Sequence, residues 1–568
     1  MSKKVQQQHK PQQQAKKTTS GSANRGLLDN LNDWLEARDK KVFYTLLILS
    51  SIFSLLLFDS KVTLGGDDSS YIERAWSFLK EGKFPYFQGP GYPVFLSLFV
   101  KMFGINVVAL KFVSVFCQLG FVWVTYLTFR KRIPYLVLFA LISFISFNAF
   151  IQYYASQTFT ETFFLFIQSI CLYITFNIID NINPEDSLVE GFKNSYKQWL
   201  LFGLMFLILT ISKSIAFVAI AGVFLYFIFY KNFKQVLYAL IAFVVFRLLY
   251  MGITTAAFGA NETNQLEMML RVDLYKPQGA HVDFSGMMDR FFTNFNTYIS
   301  WHMYRILNLR LVTNLNVLDN DTIVPLPALS YISTIVVGIF TFLSYKRNKF
   351  VFFSSIYLIV LIGGVFLGVQ ENNMQSRLII IAMPLIFLVL FYGVYELAKR
   401  SSMIQFPLIL FAIIMLIITI GKSTVTAKQN FISLKQNMAG NKFYGYTPDW
   451  ENFLKMSMYC ADSLPDSAQV LSRKPAMSFI YGHGKKFVGQ FDAPNKPDAD
   501  SVLMGWKKNN VKYIILATLR QNPKKNNGHV INNIHRMLQP IAQKYPQKLK
   551  LVKTIGTDEA CELYQIDY

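Results

Sequence analysis

Between residues 42 and 421 the chain is built from apolar runs of about 17 to 22 residues, the length at which one α-helix crosses a hydrocarbon core of about 30 Å. Charged residues make up only 16% of the chain and hydrophobic ones 52%. A soluble chain carries about 25% charged residues, so a large soluble protein is excluded. The pattern is that of a mainly α, polytopic membrane protein.

Basic clusters set the order of the crossings, because Lys and Arg accumulate on the cytoplasmic side. Keeping "RKR" at 130–132, "KNFK" at 231–234, "KRNK" at 346–349 and "KRSS" at 399–402 inside predicts about eleven spans. They cover 42–58, 107–129, 133–152, 160–179, a short pair within 200–229, then 235–252, 325–345, 350–369, 378–397 and 405–421. The stretch 200–229 is broken by "SKS" at 212–214 and is too long for one crossing. It reads as a helical pair turning at Lys213 on the outer side. Residues 1–41 are rich in Gln and Lys and show no cleavable signal pattern, so they read as a disordered cytoplasmic tail. The net charge of +22 is then topological, and nucleic acid is set aside as a partner.

This topology places three pieces outside the cytoplasmic (inner) membrane: 59–106, 253–324 and 422–568. The first contains "GYPVFLSLFVKMFG" and the second "GMMDRFFTNFNTYISWHMYRILNL" at 286–309; both read as helices lying in the interface, with a re-entrant or partly buried helix as the alternative for the second. The third loses the long runs. "AQVLS", "KKFVGQF", "VKYIILA", "LKLVKTIG" and "CELYQID" have strand length and β-rich composition. Helical patterns at 497–510 and 529–545 lie between them, so a small extracytoplasmic α/β domain is expected over 422–568. Cys460 and Cys561 fall in it and stand either as one disulfide or as two buried thiols. Cys117 and Cys171 lie in apolar runs as packing residues.

Ionisable groups at the outer ends of spans are the chemical candidates, since charge beside lipid is costly. They are Asp67 and Asp68 in "TLGGDDSSYIERAW", Glu161 in "SQTFTETFF", Lys213, and Arg377 in "QSRLIII". A carboxylate can deprotonate an acceptor hydroxyl and a cation can hold a phosphate. Each also has an ordinary reading: helix-start acids for Asp67, Asp68 and Glu161, a snorkelling turn residue for Lys213, an interface anchor for Arg377. Asp319 and Asp321 read as solvated loop acids. The six His show no metal-binding spacing, and no nucleotide-binding loop is present.

Asp67, Tyr71, Ala75, Gly82, Pro85, Tyr86, Pro90, Tyr92 and Pro93 form a pattern that resembles the first external loop of the GT-C superfamily of membrane glycosyltransferases. The likeness is to the branch holding the protein O-mannosyltransferase-like enzymes and the lipid A aminoarabinose transferase. It covers roughly 42–421. It implies a polyprenyl-phosphate sugar donor, a glycan, lipid or protein acceptor, and Asp67 as catalytic base with Asp68 able to trade roles. It further implies Glu161 as a second acid, Lys213 and Arg377 near the donor phosphate, and Tyr71, Tyr86, Pro90 and Tyr92 in the substrate loop. No cofactor is implied with monophosphate donors; a metal held by Asp67 and Glu161 is the minority alternative. Gln88 and Gly89 stand where relatives often carry His or Lys. A lipid-sugar flippase and an O-antigen ligase or polymerase are the rival readings. A flippase calls for charges at the bilayer midplane, and the candidates lie at one edge.

Overall fold

The computed structural model describes residues 26–568 apart from 88, 184, 260–264, 274–279, 310–322, 372–373, 492, 495 and 521–529. Asp319 and Asp321 lie outside the described residues. Every predicted span is helical. After α1 (Leu27–Ala37) come α2 (Asp39–Leu56), α3 (Asp67–Glu81), α4 (Gly91–Phe103), α5 (Val107–Phe129), α6 (Tyr135–Phe147) and α7 (Ala149–Ala155). Then follow α8 (Thr160–Asp180), α9 (Leu188–Ser212), α10 (Ala216–Phe229), α11 (Phe233–Phe258) and α12 (Gln265–Leu270). The second half holds α13 (Phe284–Thr297), α14 (Met303–Ile306), α15 (Pro327–Tyr345), α16 (Lys349–Gly368), α17 (Met383–Ala398) and α18 (Ser402–Met438). Among the described residues eight helices are long and apolar enough to cross a membrane, or nine if α6 and α7 count as one span. Of the expected eleven, α2 opens on three charged residues, Asp39 to Lys41, and α10 has only 14 residues.

The break at Lys213 is present. Lys234, entering α11, donates to the Asp186 carbonyl just before α9 at 2.6 Å, so α9 and α11 start at the same end. They then run side by side: Trp199 meets Tyr238 with ring centroids 5.6 Å apart, and Gly203 faces Ala242 one turn on. The chain must therefore return through α10. The basic clusters gather at that same end. Arg132 pairs with Asp180 at 2.8 Å, Lys349 reaches the same carboxylate at 3.1 Å, and Arg347 pairs with Glu396.

Four sequence expectations change. Residues 27–41, assigned to the disordered tail, are helical. Leu27, Leu28, Leu31, Trp34 and Leu35 recur at helical spacing, Leu28 is buried, and Asn32 accepts from the Leu136 N–H at the start of α6. The span expected over 133–152 is bent by 59° at Asn148, whose side chain caps α7 by accepting from the Ile151 N–H. The boundary expected at 421/422 falls inside α18. This helix runs on because Ser423 donates to the Phe147 carbonyl at 2.6 Å and Asn430 to the Phe58 carbonyl at 2.7 Å, keeping its polar half on the bundle.

The fourth change concerns α13 and α14, joined by a π-helical turn at Tyr298–His302. This rod was expected to lie in the membrane interface, with a re-entrant or partly buried helix as the alternative. Instead Arg290, Asn294, Tyr298, His302 and Arg305 are buried, while Phe284 and Phe292 are exposed. Asn294 donates to the carbonyls of Phe366 and Val369 at 2.8 and 2.7 Å, closing the end of α16. Beside lipid the polar stripe belongs inside.

The C-terminal part follows the sequence expectation. It contains α19 (Pro448–Ser463), β1 (Gln469–Ser472), α20 (Pro475–Tyr481), β2 (Val488–Gly489), α21 (Ala499–Lys508), β3 (Val511–Leu516), α22 (Ile534–Lys544), β4 (Leu549–Ile555) and β5 (Cys561–Ile566). The sheet order is β2-β1-β3-β5-β4, with β1 parallel to β2 and β3, and β5 antiparallel to β3 and β4. Central β3 buries Val511, Ile514 and Ile515. Edge strand β4 carries Lys550 and Lys553, charges that discourage pairing with another chain. Cys460 and Cys561 are both buried free thiols, so the disulfide is not formed; Cys117 and Cys171 are buried too.

The packing of α9 on α11 yields a test. A Cβ at Gly203 would stand 2.5 Å from the Ala242 carbonyl oxygen, whereas one at Gly338 meets nothing within 4 Å. Gly203→Leu should lower the thermal midpoint of the detergent-solubilised protein, in line with an overpacking cost of about 1–3 kcal/mol or more. Gly338→Ala should leave the midpoint unchanged or raise it.

Candidate active site

At the end of the bundle opposite the basic clusters, a tight turn starts α3. Gly66 adopts φ 84°, and the chain enters the helix directly at Asp67. The two adjacent carboxylates then diverge. Asp68 is completely buried. It accepts from the Thr63 N–H at 2.8 Å, the Thr63 hydroxyl at 2.9 Å and the Ser69 N–H at 2.9 Å. Its charge faces the buried Lys111 ammonium at 4.0 Å. Burial raises its pKa, offset in part by Lys111 and these hydrogen bonds. Asp68 therefore ties down the turn.

Asp67 points the other way, into an ion pair with Arg377, and its side chain remains 41% exposed. Crowding by protein alone would raise its pKa. Arg377, with Lys474 and Arg74 further off, more than offsets this and holds it below the ordinary carboxylate range. The Arg377 guanidinium also lies over the Phe159 ring, 5.2 Å from its centroid.

Glu161 and Lys213 form the second pair. Glu161 opens α8 and is 3% exposed; Lys213 Nζ donates to its Oε1 at 2.8 Å. Arg377 is close enough to attract both Asp67 and Glu161. Four of the five candidates thus meet as two linked pairs, Asp67–Arg377 and Glu161–Lys213.

The loop residues explain how Lys213 is placed. Gly89 takes φ 95°, and a Cβ there would stand 2.5 Å from the Ser212 carbonyl oxygen; one at Gly91 would stand 2.8 Å from Ser212 Oγ. The "GPG" turn is therefore moulded onto the end of α9, one residue before Lys213. Pro90 precedes α4 as its N-cap. Tyr92 is fully buried with its hydroxyl 3.1 Å from Ser114 Oγ, and Tyr71 packs edge-on to it at 5.5 Å. Tyr86 is half-buried and donates to the Gly259 carbonyl at 2.7 Å. Tyr92 and Pro90 thus shape the loop, while Tyr71 borders the carboxylates, with the Arg74 guanidinium 5.4 Å from its ring.

Sequence reasoning missed several neighbours. Lys111, inside the apolar run of α5, donates to Gln157 Oε1 at 2.6 Å and the Asp59 carbonyl at 2.9 Å. A lysine within a span was itself a signal. His302 Nδ1 lies 2.8 Å from Ser376 Oγ, and Arg305 lies beside the same hydroxyl at 3.4 Å. Burial first, then Arg305, pushes His302 down to about 3, so it is neutral at physiological pH. The π turn at this point is a feature often found at functional sites. Lys474, from the C-terminal part, donates to the Gly65 carbonyl at 2.9 Å.

As a metal site the pair Asp67 and Glu161 fits poorly. Each carboxylate is already matched by a cation, and among the described residues no group of three His, Cys, Asp or Glu forms.

No family model and no curated protein sequence matches the chain. Solved structures do. The oligosaccharyltransferase AglB of Archaeoglobus fulgidus, in complex with an inhibitory peptide and a dolichol-phosphate, superposes with a TM-score of 0.53 at 12% identity, over 93% of this chain and 75% of that one. The same enzyme with Zn and sulfate gives 0.52 at 12% identity, over 83% and 68%. ArnT of Cupriavidus metallidurans bound to undecaprenyl phosphate gives 0.52 at 10% identity, over 92% and 97%. Over most of its length, membrane bundle and C-terminal part alike, the chain thus has a fold similar to that of these solved structures.

Proposed function

We propose that the chain transfers a sugar from a polyprenyl-phosphate-linked donor to an acceptor at the outer face of the cytoplasmic membrane, with Asp67 as general base. One observation carries this reading: Asp67 is open and held ionised by Arg377, whereas Asp68 and Glu161 are buried. The basic clusters at the far end support a cytoplasmic position for that end, which puts the site outside. There a nucleotide donor is unnecessary, because a lipid phosphate is its own leaving group. The dolichol-phosphate and undecaprenyl phosphate bound by the structural neighbours support the same donor class.

In this reading the acceptor hydroxyl loses its proton to Asp67, and its oxygen bonds the anomeric carbon. The bond from that carbon to the phosphate oxygen breaks, and the electron pair departs with the polyprenyl phosphate. Arg377 and Lys213 stabilise the charge that develops there. Arg377 would then be shared. With no donor it neutralises Asp67; a donor phosphate competes for it, and Asp67 becomes a stronger base as it loses its partner. Charges clustered at one end of the bundle favour transfer over flipping, which needs them at midplane.

Removal of the base should cost about 10²-fold or more in turnover. Asp67→Asn should show this loss in release of polyprenyl phosphate from a labelled lipid-phosphate sugar; wild-type turnover would remove Asp67 from the mechanism. Asp68→Asn should instead lower the thermal midpoint, since it breaks a buried hydrogen-bonded carboxylate.

The pH profile has a definite sign. Arg377 depresses the Asp67 pKa, so the ionised base persists below the usual carboxylate value of about 4. The acid limb of kcat/KM should therefore lie below that value and move to higher pH in Arg377→Met. A limb that stays in place would detach Arg377 from Asp67. Because both carboxylates already have cationic partners, incubation with EDTA should leave turnover unchanged. Loss of activity restored by a divalent ion would favour a metal mechanism.

A further inference from the structure

The C-terminal domain reaches into the catalytic turn through one side chain. Lys474 ends the segment after β1 and is the N-cap residue of α20. Its backbone is fixed by three buried hydroxyls. The Lys474 N–H donates to Ser472 Oγ at 3.2 Å, Ser472 and Ser478 hydroxyls lie 2.9 Å apart, and Ser457 donates to Ser478 at 2.9 Å. From this anchor the lysine stem runs along Gly66, where a Cβ would lie 3.7 Å from Lys474 Cδ. The ammonium ends on the Gly65 carbonyl at 2.9 Å, two residues before Asp67.

Domain docking alone does not call for this lysine. Trp76 of α3 packs edge-on against Phe479 at 5.3 Å, Lys486 pairs with Glu81 at 2.5 Å, and Tyr446 donates to the Val62 carbonyl at 2.8 Å. These contacts hold the domain on the first external loop without touching the turn. Lys474 is partly buried, a position that disfavours an ammonium unless it is paired. It gains a carbonyl and the attraction of Asp67 and Asp68, although burial and the neighbouring Arg473 outweigh that attraction and hold its pKa down at about 8.

We propose that Lys474 is a positioning residue for the catalytic turn, so that the site at the end of the bundle is complete only when the C-terminal domain is docked. By clamping the Gly65 carbonyl it fixes the point at which α3 starts and thus the direction of Asp67. This inference rests on the transferase reading for its kinetic consequence, but its structural consequence can be measured without turnover.

The test uses the full chain in detergent or nanodiscs, as wild type, Lys474→Met, Lys474→Arg and Lys486→Met. Amide hydrogen exchange over 63–69 reports the turn, and steady-state kinetics with a labelled lipid-phosphate sugar report the chemistry. Lys474→Met should speed exchange in the turn and lower kcat by about 10- to 100-fold, the scale of a misplaced catalytic group, with KM for the donor little changed. Lys474→Arg should restore most of both. Lys486→Met should keep the turn protected and kcat near wild type. Unchanged exchange in Lys474→Met would overturn the proposal, as would faster exchange with unchanged kcat. If wild type shows no sugar transfer, the transferase reading fails, and the exchange arm still decides whether Lys474 holds the turn.

Discussion

The Asp67–Arg377 ion pair joins the start of α3 to the start of the span Ser376–Ala398, 310 residues later in the chain. It stands at the edge of an apolar bundle, where an isolated charge is disfavoured. The neighbouring Glu161–Lys213 pair binds α8 to the turn between α9 and α10 in the same way. Much of the surrounding structure serves these two contacts. Gly89 and Gly91 let the loop press onto Ser212, which sets Lys213. Asp68, Thr63 and Lys111 lock the turn, which turns Asp67 outward. Adjacent acids of the same type thus have different work because one is spent on the fold and the other is left open.

The same arrangement gives the electrostatics a direction. The site holds two carboxylates matched by two cations, with Arg305 and Lys474 close by. In the proposed mechanism a phosphate entering this cluster meets an excess of positive charge, and the cation it takes most readily is the one poised beside Asp67. Binding and activation of the proposed base would then be one event, expressed through Arg377. His302, kept neutral by burial, adds no charge but holds Ser376 beside Arg377.

Much of this was legible from residues alone because the membrane imposes simple rules. Run lengths gave the helices, basic clusters gave their order, and the break at Lys213 followed from length. The five strands were visible as short β-rich segments. Asp67, Glu161, Lys213 and Arg377 were singled out as candidates because charge at the end of a span needs a reason. What escaped has a common physical cause. The polar stripe Arg290, Asn294, Tyr298, His302 and Arg305 was read as part of an interfacial helix from its mixed composition, while in the structure the polar side turns inward onto the bundle. The division of labour between Asp67 and Asp68 depends on a turn geometry that spacing does not encode. Lys474 comes from another domain, so no local pattern links it to the loop it touches. Residues 27–41 were hidden by the low-complexity tail that precedes them.

The sharing of Arg377 between Asp67 and a lipid phosphate is the central claim, and equilibrium binding of polyprenyl phosphate to the purified protein tests it directly. The wild type should bind it more weakly than Asp67→Asn, because neutralising the carboxylate frees the guanidinium for the phosphate. Binding to Asp67→Asn that is equal to or weaker than wild type would contradict the account.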